Sequence, residues 1–320
     1  MYRIGIDLGG TNIAAGLVNE EYVILQKTSV PTLAAERTGM EVVKAMADVC
    51  HRLVEMQGIA MSEVEAIGVA SPGIADSETG EVKYICSLPI SGLNVAELLK
   101  EMTGVFEVHL ENDANAAAWG EAVAGAAKGT HSSIMVTLGT GVGGGIIVNR
   151  QILTGFNFAG AEVGHMVIEK QGVPCICGRR GCWEAYSSAT ALIRMTKEKM
   201  EECAKTGRQT TLPDWAAKQG KVSGRTAFDA MKAGDEAARE VVDMYISYLA
   251  TGITNLINVF RPQVLSIGGG ISGEGEGLLK PLLPLVLKEC YGGDVVEETK
   301  IRIAELGNDA GIIGAAFLGI

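Results

Sequence analysis

Basic residues are scarce relative to acidic ones: 27 Lys and Arg stand against 38 Asp and Glu, a formal charge of −11. A protein that draws its affinity from neutralising a phosphate backbone needs the opposite balance, so nucleic acid is excluded as an expected partner. Small phosphate-bearing anions stay open, because backbone N–H groups in glycine-rich turns bind phosphate without basic side chains. Long apolar runs are missing too. Leu278 to Leu287 is interrupted by Pro281 and Pro284, and Ile312 to Ile320 is short, so neither reaches the roughly 20 residues that cross a bilayer. The opening stretch Met1 to Asp7 has one basic residue and passes directly into a strand pattern, without a signal-type apolar core or cleavage region. A cytoplasmic protein with no membrane partner is expected. Paired cysteine spacing is absent outside one loop: Cys50, Cys86, Cys203 and Cys290 are scattered and seven is an odd count, which excludes a disulfide framework. No G-x-x-x-x-G-K-[ST] occurs, which excludes the P-loop class, and Ile267 to Ile271 lacks the ordered G-x-G-x-x-G of a dinucleotide fold.

What is present is a globular composition, 47% apolar and 20% charged, in a chain of 320 residues, long enough that two packed domains are the default. Tyr2 to Asp7, Ile13 to Val18 and Tyr22 to Gln26 read as a three-strand meander whose first turn is Gly9-Gly10-Thr11. Glu41 to Gln57 has helical periodicity, and Val64 to Ala70 and Val105 to Leu110 are strands. The second of these runs into Glu111-Asn112-Asp113, and a helix of small residues follows from Ala114 to Lys128. The pattern then starts again. Ser132 to Leu138, the turn Gly139-Thr140-Gly141 and Gly145 to Val148 overlay the first meander at a shift of 130 residues, which aligns Leu8-Gly9 with Leu138-Gly139 and predicts a duplicated unit. Later come a long helix to Phe260, the strand Val264 to Ile267, a third turn at Gly268-Gly269-Gly270, a strand at Ile301 to Leu306 and a helix at Asp309 to Leu318. Leu212 to Gly224 is the segment expected to be flexible.

Three glycine turns, each directly after an apolar strand, suit close approach of backbone to phosphate; three ordinary hairpin turns are the plain alternative. Thr11 and Thr140 add hydroxyls, and Asp7 could hold Mg2+ through water. Asp113, at a strand-to-helix junction, is either a helix-capping aspartate or a base able to take a hydroxyl proton during phosphoryl transfer. His165 precedes Cys175, Cys177 and Cys182, one imidazole and three thiols that suit a closed, structural tetrahedral Zn2+ site; reactive or buried thiols are the alternative. Glu162 and Glu184 flank that loop and could accept hydrogen bonds from sugar hydroxyls, or lie solvated at the surface.

Taken together, DLGGT at Asp7 to Thr11, END at Glu111 to Asp113, GTG at Gly139 to Gly141, EVGH at Glu162 to His165, C-x-C-G-x-x-G-C-x-E at Cys175 to Glu184 and the late GGG resemble the ROK family, most closely its bacterial glucokinase-type members. The resemblance spans nearly the whole chain. It implies a two-domain α/β ribonuclease H-like fold of the actin, hexokinase and Hsp70 type with a central cleft, residues 1–117 with 304–320 forming a small domain and 118–303 a large one carrying the zinc loop. It implies ATP-dependent phosphorylation of a hexose, glucose first, with Asp113 as general base and ATP, Mg2+ and a structural Zn2+ as cofactors. Asn112, Asp113, Glu162, His165 and Glu184 would bind the sugar. Asp7, Gly9, Gly10, Thr11, Asn12, Gly139, Thr140, Gly141, Gly269 and Gly270 would bind the nucleotide. His165, Cys175, Cys177 and Cys182 would hold zinc, the second imidazole nitrogen of His165 being left to donate to a hydroxyl. Leu93 stands where glucose-phosphorylating members usually carry Trp, so N-acetylmannosamine, N-acetylglucosamine, mannose, fructose and allose are the alternative substrates. A repressor of the family would need a DNA-binding segment ahead of the strand at Tyr2, and an actin-like ATPase would not need the cysteine loop. A homodimer or higher homo-oligomer is the expected assembly.

Overall fold

The computed structural model describes residues 1–320, apart from the side chain of Asp294. Two compact units emerge. One comprises Met1–Met135, Gly145–Ala161 and Ala304–Ile320; the other comprises Val136–Gly144 and Glu162–Ile303. In chain order the elements begin β1 (Tyr2–Leu8), β2 (Asn12–Asn19), β3 (Ile24–Pro31), α1 (Gly39–Gln57), β4 (Val64–Ser71), β5 (Ile74–Asp76), β6 (Glu81–Tyr84), α2 (Val95–Thr103), β7 (Glu107–Asn112) and α3 (Asp113–Val123). They continue with β8 (Ser133–Leu138), β9 (Val142–Val148), β10 (Gln151–Ile152), α4 (Glu184–Ser187), α5 (Ala189–Thr206), α6 (Leu212–Lys218), α7 (Thr226–Lys232) and α8 (Glu236–Phe260). β11 (Val264–Gly268), α9 (Glu276–Glu289), β12 (Lys300–Ile303) and α10 (Ala310–Ala316) complete the chain. Among the described residues no helix is long and apolar enough to cross a membrane.

The first sheet has the order β3-β2-β1-β4-β7 and the second β10-β9-β8-β11-β12. Each is a run of three consecutive strands with two later strands added beside the first of the run. The 130-residue offset seen in the sequence therefore corresponds to a shared strand order. In the first sheet β1 pairs antiparallel with β2 and parallel with β4, which in turn pairs parallel with β7, setting Asp7 opposite Ala70 and Ser71 opposite Asn112.

Local chemistry explains the element ends. α1 starts at Thr38, whose N–H donates to Glu41 Oε2 at 2.7 Å while its hydroxyl accepts from the Glu41 N–H, a reciprocal cap, and it stops at Gly58 with φ 72°. Its buried face, Val42, Val43, Met46, Val49, Cys50 and Leu53, joins Ile4, Ile6, Ile67 and Val69 in the core of the first unit. α3 ends at Val123, earlier than Lys128, for a physical reason. The fully buried Glu121 carboxylate turns back to accept from the N–H of Ala126 at 2.7 Å, and it also takes the N–H groups of Glu305 at 3.1 Å and Leu306 at 2.8 Å. Leu212 to Gly224 also departs from expectation: Leu212–Lys218 is a helix with Pro213 in its first turn, anchored by the fully buried Leu212. α9 likewise continues through Pro281 and Pro284. In the second unit the fully buried indole of Trp183 lies against Gly252 of α8, where an added Cβ would stand 2.0 Å from the ring, and its N–H donates to Tyr248 O at 3.1 Å.

α10 lies unusually close to its neighbours. A Cβ on Gly5 of β1 would sit 1.8 Å from Ile312 O, one on Gly68 of β4 1.7 Å from Ala315 O, and one on Gly314 1.7 Å from Ala116 O of α3. The opposing atoms are backbone and cannot rotate away, so Gly68→Ala should lower stability by about 2 kcal/mol or more. Gly273→Ala, where an added Cβ meets nothing within 4 Å, should be nearly neutral. Equal urea midpoints for the two variants would contradict this packing.

Candidate active site

β1 delivers Asp7 and then turns at Gly9. The turn is closed by the Gly9 N–H donating to Asn12 O at 2.9 Å, and Thr32, fully buried just past β3, fixes it from behind. The Thr32 hydroxyl donates to Gly9 O at 2.7 Å and its N–H to Thr11 O at 2.8 Å. Gly10, Thr11 and Asn12 are exposed, and among the described residues no protein group accepts from the N–H of Gly10 or Thr11. The second turn is built alike. The Gly139 N–H donates to Gly141 O at 3.0 Å, Gly139 O accepts from the Ala189 N–H at 2.8 Å, and Thr140 O accepts from the Thr190 hydroxyl at 2.7 Å. The N–H groups of Thr140 and Gly141 again have no acceptor among the described residues. At the third turn Gly269 has φ 83° and its Cα presses on the end of β8, an added Cβ falling 2.6 Å from Leu138 O, while the Ser272 hydroxyl donates to Gly269 O at 2.7 Å. Gly270 next to it faces open space.

At the β7–α3 junction Asn112 is the helix cap: its Oδ1 accepts from the N–H groups of Ala114 at 2.9 Å and Asn115 at 3.2 Å, and its Nδ2 donates to Gly73 O at 3.0 Å. Asp113 is solvent-accessible, with Oδ1 accepting from the Ala114 N–H at 2.8 Å. Enough protein surrounds it that desolvation lifts its pKa above the ordinary carboxylate value, against hydrogen bonds from Ala114, its own N–H and Asn112 that lower it. Asp7 goes further, raised to about 6, first by burial and then by the negative charge of Asp113, with Lys27 opposing. Lys27 itself is ion-paired with Asp309. Behind them the buried Glu111 carboxylate takes the Asn112 N–H at 2.8 Å and Asn115 Nδ2 at 3.0 Å, and burial raises its pKa.

In the second unit His165, Cys175, Cys177 and Cys182 converge, each offering one ligand atom, all within 4.8 Å of one another. Cys175 Sγ is 3.7 Å from His165 Nδ1, and Cys177 Sγ is 3.6 Å from Cys182 Sγ. A tetrahedral centre with metal–sulfur bonds of about 2.3 Å separates two sulfurs by about 3.8 Å, so the donors and their spacing fit zinc. The short helical turn Val163–His165 carries the imidazole, and Gly164 backs directly onto Val142, an added Cβ lying 2.1 Å from Val142 O. Glu184 links the metal loop to the second glycine turn. Its Oε2 accepts from the Val142 N–H at 3.1 Å and its Oε1 is 3.8 Å from Cys175 Sγ, while Gly141 has no room for a side chain because this carboxylate occupies the space. Glu162 is exposed. Leu93 is half-buried and packs on the core of the first unit and against Gly39, where an added Cβ would be 2.7 Å from Leu93 Cδ1.

Thr32, Thr190 and Glu121 are the residues that reading the sequence did not single out. Their partners lie 23, 50 and up to 185 positions away, and no local pattern marks them.

The ROK family model matches residues 3–320, and the chain belongs to that family. It is 36% identical to a glucokinase of Thermotoga maritima over 98% of this chain and 95% of that protein. A glucokinase of Halalkalibacterium halodurans is 35% identical over 99% of this chain and 94% of its own length. Among solved structures, a ROK family glucokinase from Streptomyces griseus in complex with glucose and AMPPNP superposes with a TM-score of 0.78 at 33% identity, covering 99% of each chain. The fold is thus the actin-like, ribonuclease H-like ATPase fold of the ROK kinases.

Because the negative charge of Asp113 is one cause of the raised Asp7 pKa, the two carboxyls titrate as a coupled pair. In metal-free protein, carbon-detected NMR should find Asp7 titrating near 6, and Asp113→Asn should move it down while burial keeps it above 3.8. An Asp7 pKa unaltered by that substitution would remove the coupling.

Proposed function

We propose that this chain transfers the γ-phosphoryl group of ATP to a hexose hydroxyl, with O6 of glucose as the first choice. The observation that carries the reading is the coupled acid pair: Asp113 at the start of α3 and Asp7, two residues before a turn whose N–H groups are open. Membership of the ROK family and whole-length likeness to proteins named glucokinases supply the reaction class. In the step itself the hydroxyl oxygen attacks the γ-phosphorus, the bond to the ADP oxygen breaks, and Asp113 takes the hydroxyl proton. A raised pKa suits that task, because the carboxylate is a stronger proton acceptor than an ordinary one. Asp7 is suited to hold Mg2+ through water, and the ion would offset triphosphate charge. The open N–H groups at Gly10, Thr11, Thr140 and Gly141 offer fixed donors to phosphate oxygens, with Asn12, Gly269 and Gly270 as further nucleotide contacts.

Sugar hydroxyls are assigned to Asn112, to Asp113, to Glu162, to the free acceptor sites of Glu184 and to the imidazole nitrogen that His165 does not turn toward Cys175. The four donors His165, Cys175, Cys177 and Cys182 are assigned to structural Zn2+, which would fix the loop that carries Glu184. A cytoplasmic homodimer is the proposed working form.

Asp113→Asn should cut turnover on the order of 10²-fold or more while the fold is kept. Near-normal turnover removes Asp113 from its role. Purified protein should carry about one zinc per chain, and Cys177→Ser should lower melting temperature and sugar affinity together. Metal analysis that finds no zinc, or a Cys177→Ser variant with unaltered sugar binding, contradicts the metal assignment.

A further inference from the structure

The two glycine turns share a feature that sequence alone does not display: each is gripped from behind by a threonine hydroxyl on a main-chain carbonyl. Thr32 binds Gly9 O at 2.7 Å, and Thr190 binds Thr140 O at 2.7 Å. Each grip is doubled by a main-chain bond from the same segment, Thr32 N–H to Thr11 O and Ala189 N–H to Gly139 O, both at 2.8 Å.

Peptide planarity turns these bonds into a directional device. In a trans peptide the C=O of one residue and the N–H of the next point in opposite directions, so fixing the carbonyl aims the following N–H the other way. Thr32 on Gly9 O therefore aims the N–H of Gly10 away from Thr32, and among the described residues no protein group accepts from it. Thr190 on Thr140 O aims the N–H of Gly141, and the Ala189 bond on Gly139 O aims that of Thr140. A glycine-rich turn is otherwise free to flip its peptides, since glycine tolerates both orientations. Donors that must point at an anion work best when they are held in place before it arrives.

We propose that Thr32 and Thr190 are positioning residues that pre-orient the N–H donors of the two glycine turns toward a nucleotide polyphosphate. The inference rests on the kinase reading above and adds to it what keeps the turns in their binding orientation. Neither threonine needs to touch the nucleotide. Thr32 is fully buried, and the Thr190 hydroxyl is occupied by Thr140 O.

The test uses Thr32→Val and Thr190→Val, which remove the hydroxyl at nearly constant volume, and Thr32→Ser and Thr190→Ser, which restore it. Binding of the magnesium complex of a non-hydrolysable ATP analogue is measured by calorimetry, and binding of glucose separately, with melting temperature as a check on folding. Each Val variant should bind the analogue about three- to tenfold more weakly, the cost of one lost hydrogen bond, with glucose affinity within about twofold of the parent. The Ser variants should recover the parent affinity. Should Thr32→Val fail to fold, the exposed Thr190 and the Thr32→Ser variant still decide the matter. Unchanged analogue affinity, an equal loss for analogue and glucose, or failure of Ser to rescue overturns the proposal. Parent protein that binds the analogue but never phosphorylates a sugar refutes the kinase reading instead, leaving the grip on the turns to stand or fall on the binding data.

Discussion

The arrangement of the first unit depends on bare backbone at a few positions. Gly5, Gly68, Gly120 and Gly314 let α10 settle onto β1, β4 and α3 at distances that no Cβ would permit. That contact does more than fill space. It brings Gly311 beside Asp7, where an added Cβ would lie 3.3 Å from Oδ2, and it braces α3, the helix that begins at Asp113. Desolvation is the largest cause of the raised pKa at both carboxyls, and at Asp7, the more enclosed of the two, α10 lies directly beside the carboxylate. A looser helix would admit water and let Asp7 relax toward ordinary behaviour.

The second unit uses a different anchor for a comparable purpose. Trp183, between Cys182 and Glu184, is fully buried against Gly252 of α8, so the residues on either side have little freedom. Glu184 then spans from the cysteine cluster to the Val142 N–H at the edge of a glycine turn. A metal bound by the cysteines would thereby act on the turn through one carboxylate, a coupling of structure to site that needs no direct contact between metal and nucleotide.

Much of this was legible in the sequence because it is local. The glycine turns follow apolar strands, the END segment sits at a strand-to-helix junction, and the cysteine spacing is dense within a few residues; each places its side chains by short-range geometry alone. What stayed hidden depends on distant partners. Nothing near Thr32 or Thr190 announces that a carbonyl 23 or 50 positions back awaits a hydroxyl. The early stop of α3 reflects Glu121 capturing N–H groups of Glu305 and Leu306, and the helix at Leu212–Lys218 rests on burial of Leu212, which a polar, glycine-bearing stretch does not advertise. Glu184 was legible as a polar residue of the site, but not as a turn support.

The most direct test of the account is the release of ADP by the zinc-replete protein across a panel of hexoses with glucose 6-phosphate assayed in parallel. ADP release should require a sugar, be strongest with glucose, and match glucose 6-phosphate formed one for one. ADP release that proceeds equally without sugar, or none with any hexose, would contradict it.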